Sequence, residues 1–524
     1  MTALVMLLCL PEAEASNVDQ NLVVGIQSYK TQTFTPLNPI ERDMVSVYDL
    51  VYDSVLTIDD NYMPQPCLAE RWEMSSNGAT WTFYLRDDVR FSDGTPLTAH
   101  DVVASANYIL DMAKADTPTG FYQNLKYFIK KIEVKDDYTV VVTAERRYYG
   151  VLYAMTFPVL PASQLNAEMP LGSGAYMVTG FVPGNYITMA ANPNWWQQQP
   201  QVKEIMFTLH KTTDEVISSF EYGRVDAIFT RDTAASQYKS STNTFALDSR
   251  TMQLETLLIN NESYPFDDVN IRKAVRLLIN ADSLASTVYF GMATRTDTPM
   301  PAGTWMYNNA ASQQVQTNRE EAIRLLEEAG WIDTDGDGVR DKPKANGNGS
   351  NRLHIRLYVY EEPDNDVRVE VANQIADILN SVGFECVVEI MPLYAIEYVD
   401  EKGNTHKTMN MYEELRAGDF DLALVAYSMD WCPDPGFLLM SNNTGNYVRY
   451  RSEDMNGLCK ELRTQTTQEG YRDVLFRIQA KFVEDCPFIC LYYRDGAVLT
   501  RKMYTTVRDV REYELLRGIE YFHE

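Results

Sequence analysis

Apolar residues recur along the chain at two different spacings, and their alternation predicts strands followed by helices. Thr80–Leu85 (TWTFYL) alternates apolar with polar side chains, which is typical of a half-buried strand. Arg319–Ala329 instead repeats apolar residues at helical spacing between a capping Asn318 and a terminating Gly330. The same criteria predict strands at Asn21–Ile26, Tyr138–Ala144 and Phe384–Ile390, and helices at Met44–Val55, Ala99–Met112, Asn270–Ile279, Asp282–Tyr289 and Val367–Leu379. Helices that feed strands in this way are typical of an α/β protein with mixed sheets.

Length and charge narrow the class of protein. A chain of 524 residues is too long for one compact core, so we expect about two or three domains. Hydrophobic residues make up 45% and charged residues 23%, as is ordinary for a soluble globular protein. The net charge of −27 argues against nucleic acid and anionic lipid as partners. The 33 tyrosines suit a recognition cleft, although half-buried positions at sheet edges would also explain many of them.

The first residues predict export. Ala3–Leu10 is an apolar run of eight residues, much shorter than the roughly 20 that span a bilayer. Ala13–Ala15 then has the small-x-small pattern of a signal-peptidase site, so residues 1–15 are interpreted as a signal peptide that lacks its basic start. A lipid anchor on Cys9 is the alternative, but Leu8 stands where a lipobox has a small residue. We therefore expect an exported protein in the periplasm or at the outer face of the cytoplasmic membrane.

The patterns of cysteine and aspartate residues are compatible with disulfide bonds and with one metal site. Six cysteines follow Cys9 and could pair in fifteen ways in an oxidising compartment, but their spacings fit no zinc site. Residues 333–341 resemble the first nine positions of an EF-hand calcium loop through Asp333, Asp335, Asp337 and Asp341. Lys344 stands where that loop has a bidentate glutamate, and a plain turn uses the same residues. A structural calcium is the one cofactor that the sequence suggests.

Several segments, taken in order, resemble the peptide- and nickel-binding family 5 of extracellular solute-binding proteins. Leu68–Val103 is the most specific, since it carries a W-E, a strand ending in L-R and an F-x-D-G-T-P-L-T-A-x-D-V core. Further matches follow at Gly172–Gly174 with Tyr176, Asn192–Trp196, Gly223–Asp226, Asn270–Ala281 and Ala329–Asp337. The resemblance covers roughly residues 20 to 505, and the order of the matches makes it specific.

The resemblance implies an α/β, bilobed, periplasmic-binding-protein-like fold of type II, cluster C, with an extra inserted subdomain. By analogy, lobe I combines residues 16–53, 161–258 and 486–524, residues 54–160 are the insertion, and residues 259–485 form lobe II. The chain would cross between the lobes near 258–261 and 484–488. Such a design permits closure about a hinge around a ligand.

The resemblance also implies a function. A monomeric binding protein of an ABC importer would capture peptides between its lobes and deliver them to the membrane permease. Phe420–Phe437 is the most informative stretch, because an apolar strand runs directly into a loop that contains Asp430. In peptide binders of the family an aromatic-x-x-Asp at this place binds the α-ammonium group, and Tyr427 and Asp430 match that spacing. Two departures weaken the match: Pro433 is an extra residue, and Leu424 stands where some oligopeptide binders have an arginine. The remaining candidate ligand contacts are Trp431, Asn260 and Tyr176.

Other functions stay open at this point. The same fold could bind another solute, such as an oligosaccharide or a metal chelate, although five histidines make a dedicated nickel site unexpected. An acidic hydrolase would belong to a different class, but the chain has no G-x-S-x-G, H-E-x-x-H or P-loop motif. We therefore predict a binding protein without catalytic residues.

Overall fold

Strands and helices alternate through the chain as the apolar pattern predicts. The computed structural model describes residues 21–114, 120–241, 243–344, 349–361, 367–399, 405–501 and 510–518, so the predicted signal peptide lies outside the described residues. The strands, β1 to β21 in chain order, are Asn21–Gln27, Leu56–Ile58, Pro64–Pro66, Ala69–Met74, Thr80–Leu85, Ile129–Asp136, Thr139–Ala144, Tyr176–Val182, Tyr186–Ala191, Glu204–His210, Ala227–Thr230, Phe245–Ile259, Ala293–Arg295, Asp341–Pro343, Ser350–Arg352, His354–Tyr360, Glu385–Met391, Glu397–Val399, Thr405–Lys407, Leu422–Ser428 and Phe488–Thr500. The helices, α1 to α12, are Arg42–Asp49, Ala99–Lys114, Thr213–Glu221, Val269–Leu278, Ala281–Thr287, Asn309–Ser312, Arg319–Glu328, Val367–Asn380, Met411–Ala417, Gly436–Leu439, Glu453–Leu462 and Gln468–Asp485. Short 3₁₀ helices cover Gly120–Tyr127, Tyr149–Met155 and Thr233–Ser240.

One sheet of eleven strands connects the two halves of the described molecule. Its order is β17-β16-β20-β12-β21-β11-β1-β10-β9-β8, and β13 adds to β21. We call the part built on β1 and β8–β11 the first lobe, and the part built on β16, β17 and β20 the second lobe. The long strands β12 and β21 pair antiparallel, from Phe245 opposite Thr500 to Leu258 opposite Phe488. β12 also pairs with β20 and β21 also pairs with β11, so each long strand belongs to both lobes.

The two crossings between the lobes therefore lie inside these strands. The predicted crossover regions, 258–261 and 484–488, are the second-lobe ends of β12 and β21. The ladder between the two strands shifts register between Arg250 and Leu254, and β21 pairs with β11 only from Ala497 onward. The two halves of each long strand form hydrogen bonds with different neighbouring strands, so the pairing changes within the strand. The division between the lobes consequently falls within β12 and β21.

A second antiparallel sheet lies in residues 54–160, the predicted insertion. It has four strands in the order β4-β5-β7-β6, and Thr80–Leu85 is a strand with the predicted bounds. Several hydrogen bonds join this part to the first lobe, two of them at Ser92. Ser92 N donates to the carbonyl of Gly172 (2.9 Å), and Asn194 Nδ2 donates to the carbonyl of Ser92 (3.0 Å). The insertion thus packs on the first lobe.

Most of the predicted helices are confirmed to within about two residues at each end, but the first one is shorter than predicted. The pattern predicted Met44–Val55, whereas α1 ends at Asp49. The carbonyls of the next two residues accept hydrogen bonds from Gly174 N and Tyr176 N, each at 2.9 Å. The chain leaves the helix because these carbonyls bond a neighbouring segment of the lobe, which the local apolar pattern does not record.

The six cysteines in the described residues are free rather than joined in disulfides. Five of them are buried, and Cys67 is half-buried. Burial raises the pKa of the Cys432 and Cys490 thiols well above the ordinary value. These cysteines therefore act as small apolar core residues.

A buried ion cluster lies where the two long strands pass α8. Glu255 on β12 accepts hydrogen bonds from Arg368 on α8 through both carboxylate oxygens, at 2.7 and 3.2 Å. Arg494 on β21 lies 3.7 Å from the same carboxylate. The three side chains are at most 6% exposed. Two buried guanidinium groups thus share the charge of one buried carboxylate.

We expect Glu255→Gln to lower the free energy of unfolding by about 3–5 kcal/mol, because it removes a buried negative charge that two buried guanidinium groups share. Urea unfolding followed by tryptophan fluorescence measures the change. Glu461→Gln is the matched control, since the ion pair of Glu461 with Arg477 is largely exposed and should contribute about 1 kcal/mol or less. Equal effects of the two substitutions would contradict this account of the cluster.

Candidate functional site

A cavity of about 240 Å³ lies where the insertion faces the loop that follows β20. The insertion contributes one wall and the loop from Ser428 to Cys432 contributes the other. The third side is Tyr513, which comes from the last described segment. The lining residues are Phe121, Tyr122, Asn124, Leu125, Phe128, Tyr153, Ala154, Thr156, Phe157, Ser428, Met429, Asp430, Trp431, Cys432 and Tyr513. Aromatic faces with one carboxylate can hold a small ligand that is apolar with a cationic group.

Asp430 is the ionisable carboxylate in this lining. It lies two residues past the end of β20, where the pairing of the buried strand with β12 fixes the start of the loop. Asn124 Nδ2 donates to one carboxylate oxygen (3.3 Å), and Cys432 N lies 3.4 Å from the other. The carboxyl faces the cavity and retains solvent contact, but protein surrounds the cavity, and this burial raises the pKa of Asp430 above the ordinary value.

The carboxylate of Asp430 has hydrogen bonds but no cationic partner among the residues that the structure describes. Asp430 is exposed to the solvent of the cavity, and a ligand that fills the cavity would remove this hydration, which is costly unless the ligand pairs with the charge. The arrangement therefore favours a ligand that brings its own positive charge into the cavity.

Trp431 forms the aromatic side of the cavity next to Asp430. Its indole ring lies 6.3 Å from the ring of Tyr513, and Tyr513 in turn contacts Phe121 at 4.4 Å. The guanidinium of Arg511 stands 5.0 Å from the centre of the indole ring. Within the described residues the buried Nε1–H of Trp431 has no acceptor, so it is a spare donor at the cavity.

Tyr427 lies beside the cavity and does not line it. Its ring packs edge to face against Phe437 at 6.1 Å, and its hydroxyl is 3.4 Å from the carbonyl of Gly445. Side chains alternate across a strand, so Tyr427 and Ser428 project to opposite faces of β20. Of the predicted pair, Asp430 is at the cavity, and Tyr427 supports the loop from behind.

The structure places Asn260 and Tyr176 in the interior, away from the cavity. Asn260 Nδ2 donates to the carbonyls of Gly418 (2.9 Å) and Phe420 (3.0 Å). Tyr176 is fully buried, and its hydroxyl donates to the carbonyl of Val202 at 3.0 Å. These side chains therefore donate hydrogen bonds to buried backbone carbonyls and stabilise the fold.

The glycines that precede Tyr176 also serve the fold. A Cβ on Gly172 would lie 1.9 Å from the carbonyl oxygen of Val51, and one on Gly174 would lie 2.7 Å from that of Leu50. Only glycine allows this close approach of two backbone segments. The glycine motif is therefore explained by packing behind α1.

The predicted calcium loop brings three of its four aspartates together. One carboxylate oxygen from each of Asp333, Asp335 and Asp341 lies within 4.8 Å of the others. Asp337 instead pairs with Arg352 at 2.5 Å. Backbone N–H groups of the same loop donate to these carboxylates, as in ordinary turns. Calcium binding at this loop stays a prediction.

Sequence reasoning missed the residues that surround Asp430. Asn124 stands 306 positions earlier in the chain, and Tyr513 belongs to the final described segment. Arg42 was also missed, although its guanidinium spans the lobes by donating to Ser428 Oγ at 2.5 Å. No local motif marks these residues, because the tertiary fold alone brings them to the loop after β20.

Comparison with known proteins identifies the class. Residues 63–448 match the family described as bacterial extracellular solute-binding proteins, family 5. The chain belongs to this family, which confirms the resemblance drawn from its motifs. Members of the family bind solutes outside the cytoplasm and work with ABC permeases.

Curated relatives differ in the solutes that they are named for. The oligopeptide-binding protein AppA of Bacillus subtilis is 23% identical over 495 residues, which cover 90% of this chain and 86% of AppA. The nickel-binding periplasmic protein of Escherichia coli is 25% identical over 326 residues, 59% of this chain and 61% of the relative. The sequence relationship thus establishes the family and not the ligand.

Solved structures confirm the bilobed α/β fold. HbpA2 of Haemophilus parasuis superposes with a TM-score of 0.77 at 20% identity, covering 95% of this chain and 99% of that one. AppA of Bacillus subtilis in complex with a nonapeptide superposes with a TM-score of 0.67 at 21% identity, covering 96% and 98%. In the described ranges, no helix has the length and apolar character needed to cross a membrane.

We expect Asn260→Ala to lower the free energy of unfolding by about 1–3 kcal/mol, because two buried carbonyls lose their donor, and to leave ligand affinity unchanged. Thermal and urea unfolding measure the first effect and calorimetric titration the second. Asn270→Ala, at an exposed position, is the control and should change stability by about 0.5 kcal/mol or less. If Asn260→Ala instead lowered the ligand affinity and left the free energy of unfolding unchanged, Asn260 would be a ligand contact.

Proposed function

We propose that this protein binds peptides with a free α-ammonium group between its lobes, and that the group pairs with Asp430. The carrying observation is a carboxylate in an aromatic cavity without a cationic partner among the described residues. An ammonium group would compensate that charge, and the faces of Trp431 and Phe121 would contact the adjoining side chain. The name of the Bacillus subtilis relative and the nonapeptide in its structure support this ligand class.

The proposal extends to the route of the ligand. As an exported receptor, the protein would capture the peptide outside the cytoplasm and present it to an ABC permease, without catalysing a reaction. Binding of a metal chelate is the competing function, since relatives named for nickel exist. The lining of the 240 Å³ cavity contains no histidine in the described part of the chain, which favours the peptide.

We expect Asp430→Asn to weaken binding of free-amine peptides by about 10- to 100-fold, the usual cost of losing a charged hydrogen bond. Isothermal titration with a panel of di- to pentapeptides measures the affinity, and circular dichroism checks the fold. Asp473→Asn, on the exposed face of α12, is the matched control. The N-acetylated form of the best peptide should bind weakly and with equal affinity to both variants and the wild type.

The alternatives give distinct outcomes in the same titration. Heat with nickel–histidine chelates and none with any peptide would overturn the peptide assignment. Equal affinity of a free-amine peptide for wild type and Asp430→Asn would keep the ligand class but reject Asp430 as its partner.

The affinity for free-amine peptides should fall as the pH falls through the raised pKa of Asp430. Burial raises this pKa in the empty protein, and a bound ammonium group would lower it, so binding releases a proton between the two values. The pKa of Asp430 is higher in the empty folded protein than in the unfolded chain. The contribution of Asp430 to the free energy of unfolding therefore decreases as the pH rises, whereas the peptide affinity increases. Titrations from about pH 4 to pH 7 in buffers of different ionisation enthalpy count the protons. Asp430→Asn should abolish the release, and a wild type without it would contradict the pairing.

A further inference from the structure

The last described segment, residues 510–518, is buried between the lobes, and we call it the cleft segment. It touches all three parts of the molecule. Arg511 donates to the carbonyls of Ile58 (2.6 Å) and Asp59 (2.7 Å) in the insertion and covers the ring of Trp431 in the second lobe. Its Glu512 pairs with arginines of the first lobe. A segment in this position occupies space that a ligand between the lobes would use.

The backbone of the cleft segment bonds to β12 as an added strand does. Arg250 N donates to the carbonyl of Val510 (3.3 Å), and Glu512 N donates to the carbonyl of Arg250 (2.7 Å). The contact lies on the side of β12 that pairs with β20 only from Gln253 onward, so on this side the backbone of Arg250 bonds the cleft segment instead. Strand addition to such an edge is a general way in which proteins bind extended peptides.

The side chain of Glu512 fills a site built for a carboxylate. Arg231 Nη2 lies 2.8 Å and Arg42 Nη1 lies 3.3 Å from one oxygen, and Met252 N donates to the other at 3.3 Å. The side chain is 1% exposed. Burial alone would raise the pKa of Glu512, but the charges of Arg231 and Arg42 hold it below the ordinary value. This carboxylate site consists of two arginines of the first lobe and a backbone amide of β12.

A larger cavity of about 680 Å³ adjoins this carboxylate site and is lined in part by Arg42 and Arg231. Its other cationic lining residues are Lys30, Lys211 and Arg494. The carboxylates in the same lining are already engaged: Asp43 pairs with Arg231, Glu41 accepts hydrogen bonds from residues 28–31, and Asp232 caps the following turn. Lys30 and Lys211 add positive charge to this lining, so the space beside Glu512 favours an anionic group.

We infer that the cleft segment is an internal peptide ligand, and that an extended peptide with a glutamate side chain displaces it by placing that carboxylate between Arg42, Arg231 and Met252 N. The inference rests on the proposed function, since it names the second charged subsite of the same cleft. Asp430 receives the positive end of the ligand, and the two arginines receive a negative group. The affinity of an external peptide is then reduced by competition with the tethered segment, because a ligand in the same chain does not have to be captured from solution.

The first test uses the unmodified protein. The probe is a synthetic peptide of the sequence VREYELLRG, that of residues 510–518, acetylated and amidated so that it has no terminal charge. At millimolar concentration it should increase the hydrogen exchange of amides in the cleft segment of the protein about tenfold or more. Exchange in β12 around Arg250 should stay slow, because the external peptide takes over the same strand contact.

The second test measures affinity by fluorescence anisotropy of the same peptide. Glu512→Gln loosens the tethered segment, so the variant should bind the peptide about 10- to 100-fold more tightly than wild type does. Glu461→Gln, which removes a surface carboxylate, should match wild type. A peptide with glutamine in place of its first glutamate (VRQYELLRG) should bind the Glu512→Gln variant about tenfold more weakly.

The outcomes separate this inference from the proposed function. Because the blocked peptide has no α-ammonium group, its binding does not require Asp430 to act as proposed. If free-amine peptides do not bind but the blocked peptide displaces the cleft segment, the inference is supported and the proposed role of Asp430 is rejected. If saturating peptide leaves the exchange of residues 510–518 unchanged and Glu512→Gln leaves the peptide affinity unchanged, the cleft segment is a permanent wall of the first lobe and the inference is overturned.

Discussion

The antiparallel pairing of β12 with β21 is the constraint on which the rest of the structure depends. These two strands are the central members of one eleven-stranded sheet, and each bonds a first-lobe strand at one end or a second-lobe strand at the other. Their register brings Glu255 and Arg494 together beneath Arg368, so the interior of the crossing holds a buried ion cluster. A strong shared ladder leaves little freedom within each strand. The register shift between Arg250 and Leu254 is an interruption of this ladder.

That interruption also organises the cleft. Near Arg250, where the two strands shift register, β12 lies beyond the end of its pairing with β20, and the backbone of Arg250 bonds the cleft segment there. Pairing of β12 with β20 on its other side positions the loop that carries Asp430. A single strand thus contributes to both charged subsites: it positions the loop with Asp430, and its Met252 N donates to Glu512 beside the arginine pair. In the proposed receptor, opposite charges at separate points would orient a peptide and require it to be extended.

Local sequence predicted those features whose causes are local. Arg319–Glu328 forms a helix capped by Asn318 as expected, because capping and apolar spacing act within a few residues. Asp430 was located for a similar reason, since a carboxylate directly after a buried strand must lie at a strand end. Predictions failed where a distant segment intervened: α1 ends early because its following carbonyls bond Gly174 and Tyr176. Tyr176 and Asn260 were predicted to touch ligand, yet their polar atoms satisfy distant backbone groups in the interior.

The sequence by itself determined the family, the alternation of strands and helices, and the carboxylate at the end of β20, because motifs and periodicity are properties of neighbouring residues. Only the tertiary structure decided what faces that carboxylate. Asn124, Trp431 and Tyr513 meet at one cavity from three segments that are far apart in the chain, and Glu512 contacts Arg42 and Arg231, which are also distant in sequence. Contacts of this kind result from the shared ladder of β12 and β21, which brings both lobes and the cleft segment to one place. No local pattern specifies which residues a folded chain brings together across a cleft.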